Sequence, residues 1–227
     1  MEYRHLGDCC VLVTMGESID EGISQRVARL AAALRSRWLH GVLDIVPAFS
    51  ALAVHFDPTG VGGTDPMQRV TEWIAATSMT EVSWGAENSR TFTIPVCYGE
   101  ECAPDLIEVA LRLTMRPEDL VARHSSITYR VGAMGFSPGF AYMLGLPADL
   151  QVPRRATPRT RVPPGSVGIG GVFTGIYPSD TPGGWHLIGR TACVLFDPAR
   201  QEPCLLRTGD LVRFLPRATF KETERLP

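Results

Sequence analysis

Between residues 135 and 190 the chain carries eleven of its 22 glycines and five arginines, against two acidic residues. Glycine lets a backbone bend sharply or approach a ligand closely, proline freezes the flanking turns, and arginine supplies planar, permanently charged donors. Rigid turns carrying such donors suit the binding of a small anion: a carboxylate, a phosphate or a carboxyphosphate-like group. Four blocks carry the pattern. In Gly135-Phe136-Ser137-Pro138-Gly139-Phe140-Ala141-Tyr142 a strand meets a tight turn. It reads either as a barrel corner with Phe136 and Phe140 in the core, or as a pocket wall with Gly139 at the bend and Tyr142 offering a hydroxyl. In Pro153-Arg154-Arg155 and Pro158-Arg159-Thr160-Arg161 the arginines are held between prolines. An anion clamp and a solvated or salt-bridged basic loop both fit that block.

The third block, Pro163-Pro164-Gly165-Ser166 followed by Gly168-Ile169-Gly170-Gly171, resembles a nucleotide loop only loosely. It lacks the strand–loop–helix context a dinucleotide site needs, and Ser166 lacks the G-x-S-x-G elbow of a serine hydrolase. In the fourth, Thr181-Pro182-Gly183-Gly184-Trp185-His186 runs on to Ile188-Gly189-Arg190. Two glycines before Trp185 let the chain lie close to something flat, while His186 suits acid–base work. A hydrogen-bonded structural role fits His186 as well. The candidate catalytic residues are therefore His186, Tyr142 and Arg159. The candidate substrate or anion contacts are Arg154, Arg155, Arg190, Gly139, Ser166, Gly184 and Trp185. No metal-ligand set is expected.

Composition excludes several classes. Lys221 is the only lysine, so a Schiff-base or P-loop lysine is not expected, and the P-loop pattern itself is missing. A net charge of −2 gives no reason to expect nucleic acid or an anionic membrane as partner. No apolar run approaches the ~20 residues of a membrane helix, and the N-terminal MEYRHLGDCC does not read as a signal peptide. A cytoplasmic protein with its six cysteines as thiols is expected. Cys97 and Cys102 are a close pair without a second pair or a histidine nearby, so zinc is not expected.

The elements that must position these residues fall into two parts. Apolar spacing predicts a helix over 19–38 with Asp20 near its start, strands over 42–46 and 52–56, and a second helix over 66–77. A strand-like run, Cys10-Val11-Leu12-Val13, lies within 5–15. The order β-α-β-β-α predicts a small ferredoxin-like α+β domain over 1–84. A polar break at 83–90 ends it. A strand over 91–97 and short helices over 105–113 and 117–125 follow. His124, at the end of the last, reads as a helix-dipole partner or a pocket residue. From 128 helical periodicity gives way to short apolar runs at 129–134, 166–169, 191–196 and 211–215, separated by Gly/Pro turns, which suits a β-barrel over 85–227. The end, 221–227, is charged and reads as frayed.

At the four blocks the sequence resembles one family. Its members include the B component of bacterial ATP-dependent 5-oxoprolinase, the first subunit of proteins called allophanate hydrolase, and the inhibitor of a sporulation histidine kinase. The same module forms half of the carboxyltransferase domain of urea carboxylase. The resemblance covers nearly the whole chain and is densest from His124 to Arg190. It implies an α+β N-terminal domain followed by a cyclophilin-like β-barrel. It also implies a related barrel subunit as partner (in type, the C component of 5-oxoprolinase or the second subunit of allophanate hydrolase), with a third hydrolase subunit for oxoprolinase chemistry. For that activity it implies ATP, with Mg²⁺, bound where the subunits meet, and opening of the 5-oxoproline lactam to glutamate. The alternatives are an allophanate-processing or urea-carboxylase-type role and non-catalytic inhibition of a histidine kinase. Two positions depart from many members: Phe173 stands where they carry Gln before Thr-Gly-Ile-Tyr-Pro, and His186 where they carry Gln after Gly-Gly-Trp. Losing two amides changes the hydrogen bonds on offer to a small amide substrate.

Overall fold

The computed structural model of the chain describes residues 1–79 and 89–220. It divides into two compact units, Met1–Ser89 and Arg90–Pro227. The boundary expected between 84 and 85 and the charged end at 221–227 lie outside the described residues.

The first unit runs β1 (Glu2–His5), β2 (Cys10–Thr14), α1 (Glu21–Ser36), β3 (Val42–Ala48), β4 (Ala51–Phe56), the single turn α2 (Pro58–Val61) and α3 (Pro66–Met79). Helix α1 starts where Asp20 accepts a hydrogen bond from the Ile23 N–H at 3.0 Å, the expected cap. Its stripe of Val27, Leu30, Ala31 and Leu34 packs with Val70 and Ile74 of α3 against Val11, Val13, Leu52 and Val54 of the sheet. The sheet order is β1-β2-β4-β3, and the β1–β2, β2–β4 and β4–β3 pairs are antiparallel. This is the expected ferredoxin-like arrangement with one change. The strand flanking β2 comes from the N-terminal hairpin rather than from after the second helix. The run at 5–15 thus holds β2 and the turn at Gly7, whose φ is 63°, while β1 lies almost wholly before it. Edge strand β1 is mostly exposed and has no apolar alternation, so periodicity could not reveal it.

The second unit contains β5 (Thr91–Cys97), α4 (Leu106–Arg112), α5 (Pro117–Ser125), β6 (Thr128–Met134), β7 (Ala141–Leu144), β8 (Arg159–Val162), β9 (Ser166–Gly170), β10 (Phe173–Ile176), β11 (Thr181–Gly183), β12 (His186–Arg190) and β13 (Leu211–Arg217). Seven strands in the order β6-β13-β5-β12-β9-β10-β7 close on themselves through β6–β7 pairing, giving the expected cyclophilin-like barrel. The β5–β13 pair is parallel. One end of that pair is fixed by Arg90, which donates to both Asp210 carboxylate oxygens at 3.1 and 2.6 Å. Strands β8 and β11 form a separate two-stranded ribbon. The segment 191–196, expected as a strand, is irregular and ends in a single bridge between Phe196 and Cys204. Cys193 and Leu195 are buried there, so its apolar residues reflect packing without a ladder. All six cysteines are free. Among the described residues no helix is long and apolar enough to cross a membrane.

His124 lies fully buried in the barrel unit, stacked on Phe214 at 4.8 Å. The Thr174 hydroxyl donates to the Gly168 carbonyl at 3.0 Å, so it accepts from His124 Nε2–H at 2.9 Å. Nδ1 is then left to accept the Tyr98 O–H, also at 2.9 Å. This chain ties α5 to β9 and β10. Burial drives the imidazole down from 6.5 to about 3, so it is neutral in the folded chain. Between those values the unfolded chain takes up a proton that the folded chain refuses. Stability present above about pH 6.5 is therefore lost progressively as pH falls towards 3. Denaturant midpoints measured from pH 7 to pH 4 should fall less steeply in His124→Asn than in the wild type. Equal slopes would show that His124 is not held neutral.

Candidate functional site

Strand alternation gives the barrel two apolar faces. Along β9, Val167 and Ile169 point into the main core, as do Ala141 and Met143 of β7, Ile176 of β10 and Ile188 of β12. The alternate positions belong to a second cluster built from Phe140, Val162, Tyr177, Trp185 and Leu187, with Tyr142 and Phe173 packed against it. Beneath Trp185 the alternate positions of β9 are glycines. A Cβ at Gly170 would lie 2.5 Å from the Trp185 ring, and one at Gly168 3.2 Å from its Cβ. The block read as a loose nucleotide loop is therefore a strand whose bare face accommodates an indole. Phe140, Tyr142 and Tyr177 stand edge-on to that indole at 5.5, 5.8 and 6.4 Å.

The turn joining β6 to β7 supplies one more ring. Phe140 N–H donates to the Ser137 carbonyl at 3.0 Å, with Pro138 and Gly139 (φ 81°) at the corners, a type II turn. Gly139 tucks against the 195–196 backbone, where a Cβ would meet Phe196 Cβ at 2.7 Å. Of the two phenylalanines expected in the core under the barrel-corner reading, Phe140 is buried, but Phe136 is 59% exposed.

The arginines meet a partner that sequence reasoning missed. Asp105, just before α4, is almost wholly buried. Its Oδ1 accepts from Arg159 Nη2 at 2.6 Å and Arg155 Nη1 at 3.2 Å, and its Oδ2 from the Leu187 N–H at 2.7 Å. Burial alone would raise this carboxyl. The Arg159 hydrogen bond, the Leu187 N–H and the two cations outweigh it and hold the group below the usual carboxylate range. Arg155 Nε and Arg159 Nη1 are buried without a partner. Arg161 bridges to Asp180 on the surface, at 2.9–3.1 Å. Locally, Asp105 reads only as a helix start; its partners lie 50, 54 and 82 residues along the chain.

Tyr142, Arg154, Arg155, Gly184 and Trp185 line one cavity of about 160 Å³, joined by Phe136, Phe140, Pro158, Tyr177 and Gly183. Burial pushes the Tyr177 hydroxyl up, so it stays protonated. Arg159 lies behind this wall, on Asp105. The other candidates lie elsewhere. His186 is 1% exposed and donates Nε2–H to the Pro153 carbonyl at 3.1 Å, which fixes the start of the arginine segment. Ser166 donates to the Pro163 carbonyl at 2.7 Å. Arg190 lies over the Phe220 ring, 4.8 Å from its centroid, and donates to the Pro164 carbonyl. A wider groove of about 730 Å³ runs past Tyr98, Leu106, Val121 and Pro216, but Glu118 is its only charged lining residue. It offers no cation to an anionic ligand. Among the described residues no cluster of three His, Cys, Asp or Glu could hold a metal ion.

Comparison with known proteins gives a consistent picture. Residues 1–206 match the family described as carboxyltransferase domain, subdomain C and D. The B component of the Bacillus subtilis 5-oxoprolinase is 38% identical, over 94% of this chain and 92% of its own. That of Escherichia coli O157:H7 is 41% identical over 93% and 94%. The crystal structure of TTHA0988 superposes with a TM-score of 0.80 at 38% identity, over 92% of this chain; the chain spans 40% of that longer one. More distant is the urea amidolyase of Lachancea kluyveri, 25% identical, of which this chain spans 13%.

Two outcomes follow from the packing. Asp105→Ala leaves Arg159 without a counter-charge and Arg155 with only the longer contact to Glu108 at 3.8 Å, and should cost about 3 kcal/mol. Arg159→Ala leaves Asp105 with Arg155 and should cost about half that. The reverse order in denaturant melts would remove Asp105 as the centre of the cluster. Gly170→Ala should displace the indole and cost about 1–3 kcal/mol, with a changed near-ultraviolet circular dichroism spectrum; an unchanged spectrum would mean that Trp185 does not rest on this strand.

Proposed function

We propose, from the premise that this chain belongs to the carboxyltransferase subdomain C and D family, that it is a subunit of an ATP-dependent 5-oxoprolinase. In this reading it opens the lactam of 5-oxoproline to L-glutamate together with partner subunits and has no turnover alone. The observation that carries the reading is the match, over more than nine-tenths of both chains, to two proteins named as the B component of 5-oxoprolinase. The partners are a related barrel subunit and a third, hydrolase, subunit, in the cytoplasm.

The cavity supports a division of labour. An unactivated lactam is a poor acyl donor, which is the chemical reason for ATP in the complex. The residues of this chain do not fit the nucleotide. The cavity of about 160 Å³ is smaller than the ~300 Å³ at which ordinary ligand pockets begin. The Arg155 and Arg159 charges are also already balanced in part by Asp105. ATP and its Mg²⁺ are therefore assigned to surfaces completed by a partner. This chain's own residues bind and orient. Arg154 offers a cation at the cavity, Tyr142 and Tyr177 offer hydroxyls, and His186 is a positioning residue through Pro153.

Phe173 does not decide between this reading and the alternative. It backs Tyr142 at 5.7 Å and lies parallel to Trp185 at 6.4 Å. Standing behind Tyr142 and outside the cavity lining, it does not itself face a ligand, so the choice between 5-oxoproline and urea-derived substrates rests with the residues that line the cavity.

The test is ATP turnover by this chain mixed with the two partner subunits, with and without 5-oxoproline. ADP release that requires both 5-oxoproline and this chain, with glutamate as product, is expected. Release indifferent to 5-oxoproline, or stimulated instead by urea-derived substrates, would overturn the reading.

A further inference from the structure

Phe136 sits in an unusual backbone. Its φ is 69°, and Ser137 N–H donates across it to the Gly135 carbonyl at 2.9 Å. This is a γ-turn of the left-handed, rarer form, strained for a residue with a side chain. Such a conformation costs on the order of 1–3 kcal/mol and clusters at sites of function. Glycine would carry the turn without that cost. The ring does not compensate by burial, since it is 59% exposed. It stands edge-on to Phe140 at 5.3 Å and Tyr177 at 6.2 Å and lines the cavity. The type II turn that follows, anchored at Gly139 against Phe196, holds the strained residue in place. The outlier thus fixes a large ring at the edge of a small cavity.

The cavity has a second distinguishing feature. Arg155 is tied to Asp105, whereas Arg154 lines the same space and has no carboxylate within ion-pair range among the described residues. About 160 Å³ is the room of about five waters at ~30 Å³ each. That is too little for a nucleotide and enough for one small substituted ring.

We infer that this chain by itself recognises a small flat ring bearing one carboxylate, the chemical class of 5-oxoproline. Arg154 receives the carboxylate, and Phe136, held out by its strained turn, closes over the ring as a specificity-determining wall. The identity of the ligand rests on the function proposed above; the assignment of substrate recognition to this subunit goes beyond it. Apolar contact to the ring's methylene groups comes from the aromatic walls, and a charge-assisted hydrogen bond to a carboxylate from the unpaired guanidinium.

Calorimetric titration of the full-length chain with L-5-oxoproline, 2-pyrrolidinone and acetate tests this. L-5-oxoproline should bind at least ten times more tightly than the ring without the carboxylate or the carboxylate without the ring. Arg154→Ala should lose at least tenfold in affinity for 5-oxoproline and nothing for pyrrolidinone. Phe136→Ala should lose about five- to tenfold. Phe136→Gly, which relieves the turn, should bind as weakly as the alanine variant while melting at a higher temperature. No binding of 5-oxoproline by the full chain, equal affinity for pyrrolidinone, or full affinity in either Arg154→Ala or Phe136→Gly would each overturn the inference. The outcomes separate it from the reading it rests on. Turnover by the complete complex without binding here would leave the oxoprolinase function standing and this role refuted. Arg154-dependent binding without turnover in the complex would do the reverse.

Discussion

The indole of Trp185 needs a bare strand to lie on, and much of the site follows from that need. Gly170 and Gly168 leave the space on β9, and Gly175 leaves it on β10, where a Cβ would come within 3.2 Å of the ring. With the indole in place, Phe140, Tyr142 and Tyr177 have a surface to stand against, and the cavity has a wall. The same strands send Val167, Ile169 and Ile176 to the opposite side and into the barrel core. A period of two thus lets one set of strands build a fold on one face and a site on the other.

Charge is organised as tightly as packing. The region of residues 135–190 is strongly cationic in sequence, yet Asp105 draws Arg155 and Arg159 together and holds them. The carboxylate also takes the Leu187 N–H, next to the register shift in β12. One side chain therefore balances two cations and occupies a backbone donor where the ladder is irregular. Burying two like charges near each other is tolerable only with such a partner. What remains for an outside anion is Arg154, which is exposed and lines the cavity.

Local signals made the elements legible and left the long-range pairs hidden. Helix α1, with Asp20 at its cap, and helix α5, opening at Pro117, were readable because cap and period act within a few residues. Strands β7, β10 and β12 were hidden because both their faces are largely buried, so no alternation shows, and because the glycines of β10 and β12 read as turns. The segment 191–196 misled in the other direction, since an apolar run needs burial and not a ladder. At the site, Tyr142, Trp185, Gly184 and the arginines stood out by type and spacing. Asp105 did not, because its role depends on residues that only the barrel's closure brings near. Phe136 did not, because nothing in a sequence distinguishes a phenylalanine with a positive φ.

The two-faced strands bear on how such a protein can change over generations. Substitutions at Tyr142 or Trp185 alter the wall of the cavity, and those at Phe173 alter what backs it, while Met143 and Thr174, next in the chain to Tyr142 and Phe173, lie on other packing surfaces. Ligand preference can therefore drift along one side of the barrel under little pressure from the other. A lineage can adopt a new substrate by exchanging outward residues while it inherits an unchanged interior.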